Sequence, residues 1–516
     1  MLVEDQNDVV AFLSAPETHS GATVEHFQTH ISDVFLAGER AYKLKRAVKL
    51  PYVDYSTLAL RREACDKEIA FNRLTAPDLY LGVRLITREA DGRLAFDGDG
   101  APVDAVVEME RFDQAGLFDR MAVEDRLDEP LMEKLGRAIA RFHDAAPVMH
   151  TGGGYDNLRG VLAINAAGFA TSHVFDEAEV AELQALFEAR LADCRTALDR
   201  REAAGRVRRC HGDLHLRNIC LIGDEPVIFD CIEFNDQLAT TDVLYDLAFL
   251  LMDLWHRDLK AMANRVANHY FDEIDEDEDY SLLPVLMAIR AAVRAHVTAT
   301  QCEDAILGED ATEGREALIR SARSYFDLAR ELLQPFAPSL VTIGGLSGTG
   351  KTTIAEALAP GFGPPPGARL FESDRIRKSL FGVPAEEKLP VTAYEPGVNE
   401  RVYDRLAERS VKAAKAGCHV VANAVYSKPA ERAGIAARAA EAEVPFTGIW
   451  LEAPADVLHQ RVEDREKGAS DATVDILERQ LYYELGEIDW VRVKADRPVG
   501  EIVADLGILA SVEGRS

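Results

Sequence analysis

Apolar and polar positions change their period several times along this chain. Residues 29–50, THISDVFLAGERAYKLKRAVKL, alternate on either side of AGER, which predicts a half-buried hairpin. From Ser56 to Leu74 the apolar residues fall at helical spacing behind a Ser or Thr cap, and VDAVVEMERF then reads as a buried strand leading into a connector. Helical patterns dominate from about 129 to 204, clearest in LMEKLGRAIARFHDAAP and EVAELQALFEARLADCRTALDRR. Two short β segments, ICLI and VIFDCIEF, meet at the turn GDEP before helices resume at DVLYDLAFLLMDLWH. The acidic run DEIDEDEDYS (272–281) reads as a solvated loop or helix start. A last helical run ends at LLQPFAPSL, where Pro335 and Pro338 mark a domain boundary.

Beyond that boundary the pattern changes. SLVTIGGLSGTGKTTIAEALA carries a β-branched run into a Gly-rich loop and then a helix. Strand candidates recur at ARLF (368–371), CHVVANAVY (418–426) and FTGIWLEA (446–453), with helical stretches between them. Such alternation predicts a parallel sheet flanked by helices. The whole is an α/β and α+β multidomain chain, divided at 1–112, 113–335 and 336–516. Its 516 residues agree, being too many for one ordinary core at roughly 100–200 residues per domain.

Composition narrows the chemistry. An apolar content of 47% fits a globular protein, and no apolar run reaches the roughly 18 residues of a membrane span. The N-terminus shows no basic segment leading into an apolar one, so the expectation is a cytoplasmic protein with no membrane partner. Binding to phosphate backbones is carried by clustered Lys and Arg, and a net charge of -30 disfavours a nucleic-acid partner. A small polar substrate fits better. Seven scattered cysteines match no disulfide framework, and Cys210, Cys220 and Cys231 lie too far apart for the usual paired zinc spacing.

In the second half GLSGTGKT satisfies G-x-x-x-x-G-K-[ST] between a strand and a helix. The loop Gly345, Ser347, Gly348, Thr349 and Gly350 turns backbone N–H groups toward phosphate. Lys351 reaches the β- and γ-phosphates, the Thr352 hydroxyl holds Mg²⁺, and Thr353 beside it completes the nucleotide-binding stretch. After the next strand, ESDRIRKSLFG offers Asp374 to accept a hydroxyl proton and Arg377 to grip an anionic substrate. Their alternatives are a helix cap and a solvated arginine.

Residues 340–510 resemble the P-loop small-molecule and polynucleotide kinases, such as gluconate-kinase-like proteins. The resemblance implies that Asp374 and Arg377 serve the phosphate acceptor, and that Arg461 and Arg465 of HQRVEDREKGASDA belong to a lid over ATP. One departure stands out. Where related kinases often end the third strand in Asp, VVANAVY places the neutral Asn423, a weaker ligand for Mg²⁺ or its water.

In the first half, HGDLHLRNICLIGDEPVIFDCIEF sets Asp213 and Asn218 five residues apart and Asp230 beyond a hairpin. This is the spacing of the protein-kinase catalytic loop, in which the Asp accepts the hydroxyl proton and the Asn and second Asp hold Mg²⁺. With His211-Gly212-Asp213 in place of His-Arg-Asp, residues 25–330 resemble the aminoglycoside-phosphotransferase-like and choline-kinase-like branch. The resemblance makes Asp246, His143, His211 and His215 scaffold. A kinase-like N-lobe also requires a phosphate lysine, a helical Glu and an adenine hinge. Lys43 and Lys45 share a strand face, and similarity of YKLK to related YVLK strands favours Lys45. Glu68 is the helical carboxylate, and Glu108 and Met109 fall at the hinge.

The expectation is therefore an ATP- and Mg²⁺-dependent phosphotransferase with two candidate kinase sites acting on hydroxyl groups of small polar molecules. Two alternatives stand beside it: a nucleic-acid-end kinase, and a kinase regulated by a nucleotide-sensing partner domain. Neither acceptor nor oligomeric state follows from the sequence.

Overall fold

A computed structural model of the protein describes residues 3–50, 53–304, 311–384, 387–464 and 473–513. The chain packs as two compact units, Met1–Val161 with Arg195–Asp253, and Leu162–Cys194 with Leu254–Ser516.

The first unit opens with strands β1 (Val24–Gln28), β2 (Ser32–Ala37) and β3 (Arg40–Lys45), a two-residue pair β4 (Lys49–Leu50) and β5 (Val53–Asp54), then β6 (Tyr80–Arg88), β7 (Leu94–Phe96) and β8 (Ala101–Glu110). Six of them form an antiparallel sheet in the order β1-β2-β3-β8-β6-β7. The predicted hairpin is β2–β3, closed where Ala37 faces Arg40. The helix Leu58–Asn72 starts where the Thr57 hydroxyl accepts the Leu60 N–H at 3.4 Å. It buries Cys65 and Ile69 against Ala105 and Val107 of β8.

Below the sheet, the helix Glu129–Ala145 begins at Asp128, whose carboxylate accepts the Leu131 N–H at 2.9 Å. Strand β9 (Val207–Arg209), the hairpin β10 (Ile219–Ile222) and β11 (Glu225–Ile228), and β12 (Thr240–Asp242) frame the loops between them. β9 pairs with β12, and β10 with β11. The strand expected across VIFDCIEF stops at Ile228, because Asp230 takes a left-handed φ of 65° that no ladder accommodates.

The second unit joins a helical layer to the predicted parallel sheet. Strands β13 (Leu340–Gly344), β14 (Arg369–Glu372), β15 (Val420–Asn423), β16 (Phe446–Glu452) and β17 (Val491–Lys494) run parallel in the order β14-β15-β13-β16-β17. Val341, Ile343, Val421 and Ile449 pack beneath Ile354, Leu358, Ile502 and Leu506. The apolar period misses β17, since VRVK alternates over only four residues and is mostly exposed at the sheet edge. Within Asp277–Cys302 lies one helical stretch apolar and long enough to cross a membrane by composition, and 78% of that window is buried.

Of the two readings of the acidic run, the helix start holds and the solvated loop does not: its first residues close the helix Lys260–Glu273, Asp277–Leu282 form a 3-10 turn leading into the helix Leu283–Asp304, and the run packs against β14 and the helix Pro396–Lys415. Asp272 pairs with Arg369 at 2.7 Å, Asp277 with Arg409 at 2.6 Å and Arg369 at 3.1 Å, and Glu278 with Lys412 at 2.7 Å. Arg369 is only 1% exposed, and so buried a guanidinium demands carboxylates beside it. Two amides of the same helix serve the backbone of β14 and of the turn just before it. Asn268 Oδ1 accepts the Leu370 N–H at 2.7 Å, and Asn264 Nδ2 donates to the carbonyls of Ala368 and Pro366 at 2.9 and 3.0 Å.

Candidate active sites

Strand β3 puts Lys43 and Lys45 on one face, two residues apart, and both reach the Glu68 carboxylate of the helix Leu58–Asn72. Lys43 Nζ lies 2.9 Å from Glu68 Oε1 and 2.5 Å from Asp230 Oδ1. Burial works against the Lys43 ammonium, but Asp230 and Glu68 outweigh it and hold its pKa well above that of free lysine. Burial likewise raises Asp230, and Lys43 overcomes it, so this carboxyl stays below the usual range. Sequence resemblance favours Lys45 as the phosphate lysine, yet its ammonium has no exposed surface and is enclosed by Glu68 and Glu233. Met109 stands near the end of β8, opposite Ala41 and Tyr80, and Glu108 beside it pairs with Arg84.

The loop after β9 is held from beneath by Asp246. Its two carboxylate oxygens accept the backbone N–H groups of His211 and Gly212 at 3.1 and 2.8 Å, and His143 Nε2 lies 3.2 Å away. His211 Nε2 meets the Phe229 carbonyl at 2.8 Å, tying this loop to the segment after β11. Asp213 is thereby fixed, with its carboxylate 3.2 Å from Asn218 Nδ2 and 3.3 Å from His215 Nε2. Asn218 Nδ2 also donates to the Asp213 carbonyl at 2.9 Å, which leaves its Oδ1 as the free ligand atom. Asp230 is presented by its left-handed backbone, whose N–H donates to Tyr80 Oη at 3.1 Å. The donor set is hard oxygen, carboxylate and amide, which suits Mg²⁺. His143, Cys210 and Asp246 also gather within 4.8 Å, but both Asp246 oxygens already serve the backbone.

Sequence reasoning missed Glu233 and Tyr55. The Tyr55 hydroxyl donates to Glu233 Oε1 at 2.5 Å, across 178 positions, and no local pattern signals such a pair.

The second site surrounds a cavity of about 1000 Å³ at the carboxyl edge of β13, β14 and β15. Ser347, Gly348, Thr349, Gly350, Lys351, Thr352 and Thr353 form one wall. Gly345 and Gly348 are required there, because a Cβ would meet the carbonyls of Leu451 and Leu458 at 2.8 and 2.7 Å. Lys351 Nζ donates to the Leu346 carbonyl at 3.0 Å, and the Ser347 N–H donates to Gln480 Oε1 at 2.8 Å. Arg461 lies over the loop, its Nη1 4.0 Å from where a Gly350 Cβ would stand, while Arg465 falls outside the described residues.

The opposite wall carries Asp374, Arg377, Asn423 and Glu372. Arg377 Nη1 donates to the Ala393 carbonyl at 2.8 Å, with its guanidinium 4.7 Å above the Tyr394 ring. Glu372 pairs in register with Asn423 at the strand ends, and burial pushes its carboxyl up to about 7 against the opposing pull of Arg375. The sequence pattern gave no reason to single it out.

The catalytic loop of the first unit and the Gly-rich cavity of the second together define a protein built from two kinase-type domains. Residues 61–281 match the phosphotransferase enzyme family, and residues 340–484 match an AAA domain family. The chain is a fusion of an aminoglycoside-phosphotransferase-like domain with a P-loop kinase domain. It is similar along most of its length to an uncharacterized protein of Mycobacterium tuberculosis, 26% identical over 476 residues that cover 87% of this chain and 88% of that one. The P-loop part is similar to an adenylyl-sulfate kinase of Myxococcus xanthus, 30% identical over 122 residues, covering 24% of this chain and 62% of the relative. Among solved structures, a choline/ethanolamine kinase family protein from Mesorhizobium loti aligns over 63% of this chain and 99% of its own, with 15% identity and a TM-score of 0.38.

Proposed function

We propose that each domain transfers the γ-phosphate of ATP to a hydroxyl group of a small polar molecule, so that the chain is a bifunctional, Mg²⁺-dependent kinase. What carries this reading is the gathering of two linked sets from separate segments, Asn218 on Asp213 and Lys43 on both Glu68 and Asp230, with the Asp213 charge felt at Asp230. In the first site Asp213 orients the acceptor hydroxyl and takes its proton, while Lys43, braced by Glu68, holds the phosphates. Asn218 and Asp230 are the groups that would hold the metal, which when bound neutralises phosphate charge. In the second site Lys351 and the loop amides hold the nucleotide, Thr352 is the metal-side hydroxyl, Asp374 is the acceptor base and Arg377 grips the acceptor. Both reactions depend on positioning and charge neutralisation, with little covalent chemistry for the protein.

The test is ³¹P NMR of ATP·Mg²⁺ incubated with pooled polar metabolites and wild type, Asp213→Ala or Lys351→Ala protein. A new phosphomonoester lost in one variant alone assigns a kinase reaction to that domain. No ester from wild type, with equal ATP loss in all three, sinks the small-molecule reading. Asn423 favours a second reading, in which the P-loop domain senses nucleotide and regulates its neighbour. In that case Lys351→Ala abolishes ATP binding there and changes the first domain's rate without removing a product of its own.

A further inference from the structure

The charged cluster of the first site is larger than a lysine–glutamate pair. Glu68 is fully buried and bridges two lysines, Lys43 at 2.9 Å on one oxygen and Lys45 on the other. Lys45 passes the chain on to Glu233, 4% exposed, which also accepts the Tyr55 hydroxyl at 2.5 Å. Two ammonium groups thus face three carboxylates, in the sequence Asp230, Lys43, Glu68, Lys45, Glu233. Asp230 and Glu233 lie three residues apart on the segment that follows β11, so the cluster grips that segment at two points. Between them, the Cys231 N–H donates to Asn72 Oδ1 at 2.8 Å and the Ile232 N–H to the His211 carbonyl at 2.9 Å.

A buried ion pair is a poor device for stability alone, since well-packed apolar side chains in its place are often neutral or stabilising. Its position suggests another use. Lys43 and Asp230 are the members that would exchange partners for phosphate and metal. Lys45 and Glu233, enclosed on all sides, cannot reach either. The geometry points to Lys45 and Glu233 as a positioning pair that keeps Glu68 and the Asp230 segment in place when Lys43 and Asp230 turn to ATP·Mg²⁺. The inference rests on the reading of this site as an ATP·Mg²⁺ site.

The test uses the full chain carrying Lys351→Ala, so that nucleotide binding reports the first site, with Asp230→Ala added to define the zero. Affinity for a non-hydrolysable ATP analogue is measured by calorimetry with Mg²⁺ and with EDTA, beside the thermal unfolding midpoint. In the Lys45→Met/Glu233→Met protein the midpoint should hold to within a few degrees while the Mg²⁺-dependent gain in affinity falls at least tenfold. Affinity in EDTA should barely change, and Glu233→Asp should recover part of the gain. A folded double variant with an undiminished Mg²⁺ gain overturns the proposal and leaves the pair purely structural. Should the double variant not fold, Glu233→Gln is read by the same two outcomes. If the Lys351→Ala parent itself shows no Mg²⁺-dependent binding, the first-site reading fails, and the pair's assignment fails with it.

Discussion

Lys43 and Lys45 sit two positions apart on one strand face, and only burial tells them apart. Lys43 keeps a path to Asp230, whereas Lys45 is enclosed. Lys43→Ala should therefore cost roughly 10²-fold in first-site turnover, as loss of a charged contact to developing phosphate charge does. Steady-state ATP consumption measures it, and near-normal turnover would return the role to Lys45. Glu372 gives a prediction in pH. Its folded-state pKa of about 7 lies above the ordinary 4.5, so the stability tied to its protonated form is complete below about pH 4.5 and is lost as pH rises through 7. Glu372→Gln should raise unfolding stability by up to about 3 kcal/mol at pH 8 and leave it unchanged at pH 4. Equal effects at both pH values in urea titrations would refute this. Asp213, Asn218 and Asp230 were legible because their chemistry is written in local spacing. Glu233 was not, because its partner Lys45 is 188 positions away.

At the scale of elements, the informative segment is the acidic run. Read as composition it is a solvated stretch, since nothing local reveals that Arg369 and Arg409 meet it from positions about a hundred residues on. Burial then separates its members. Asp277, 8% exposed at the side chain, lies between two guanidinium groups, whereas Asp275 is 74% exposed and pairs with Arg405 at the surface. Removing Asp277 takes the paired carboxylate from Arg409 and leaves the buried Arg369 with Asp272 as its carboxylate, and Asp277→Ala should destabilise the second unit by about 3 kcal/mol. Asp275→Ala should cost under about 1 kcal/mol. Chemical denaturation of both variants checks the contrast, and similar losses would show that burial is not what sets the value of these pairs. The hairpin β2–β3 and the strands β13, β15 and β16 were legible because their apolar periods are strong, while that of β17 spans only four residues.

At the scale of the molecule, the prolines before β13 mark the change from helical layer to parallel sheet, but the packing does not divide there. The helix Lys260–Glu273 and the turn after it belong with the sheet, through Asn264, Asn268, Asp272 and Asp277. A fragment beginning at residue 336 should therefore unfold at least 10 °C below the P-loop part of the full chain, several kcal/mol of buried pairing having been removed. Scanning calorimetry decides it, and an unchanged midpoint would make the sequence boundary the true one. Sequence period could place the sheet; which helices cover it depends on pairs distant in the chain.

The two asparagines of that helix carry one more consequence. β14 is an outer strand, and an outer strand offers unpaired amide and carbonyl groups to any passing chain. Asn268 occupies the Leu370 amide of this strand and Asn264 the carbonyls of Ala368 and Pro366 just before it, so the start of the edge ends in a partner that cannot itself be extended. The same contacts that fasten the helix thereby act as a guard against self-association. Replacing Asn268 by leucine should increase edge-to-edge aggregation relative to the unchanged protein, visible in light scattering before any loss of helix content.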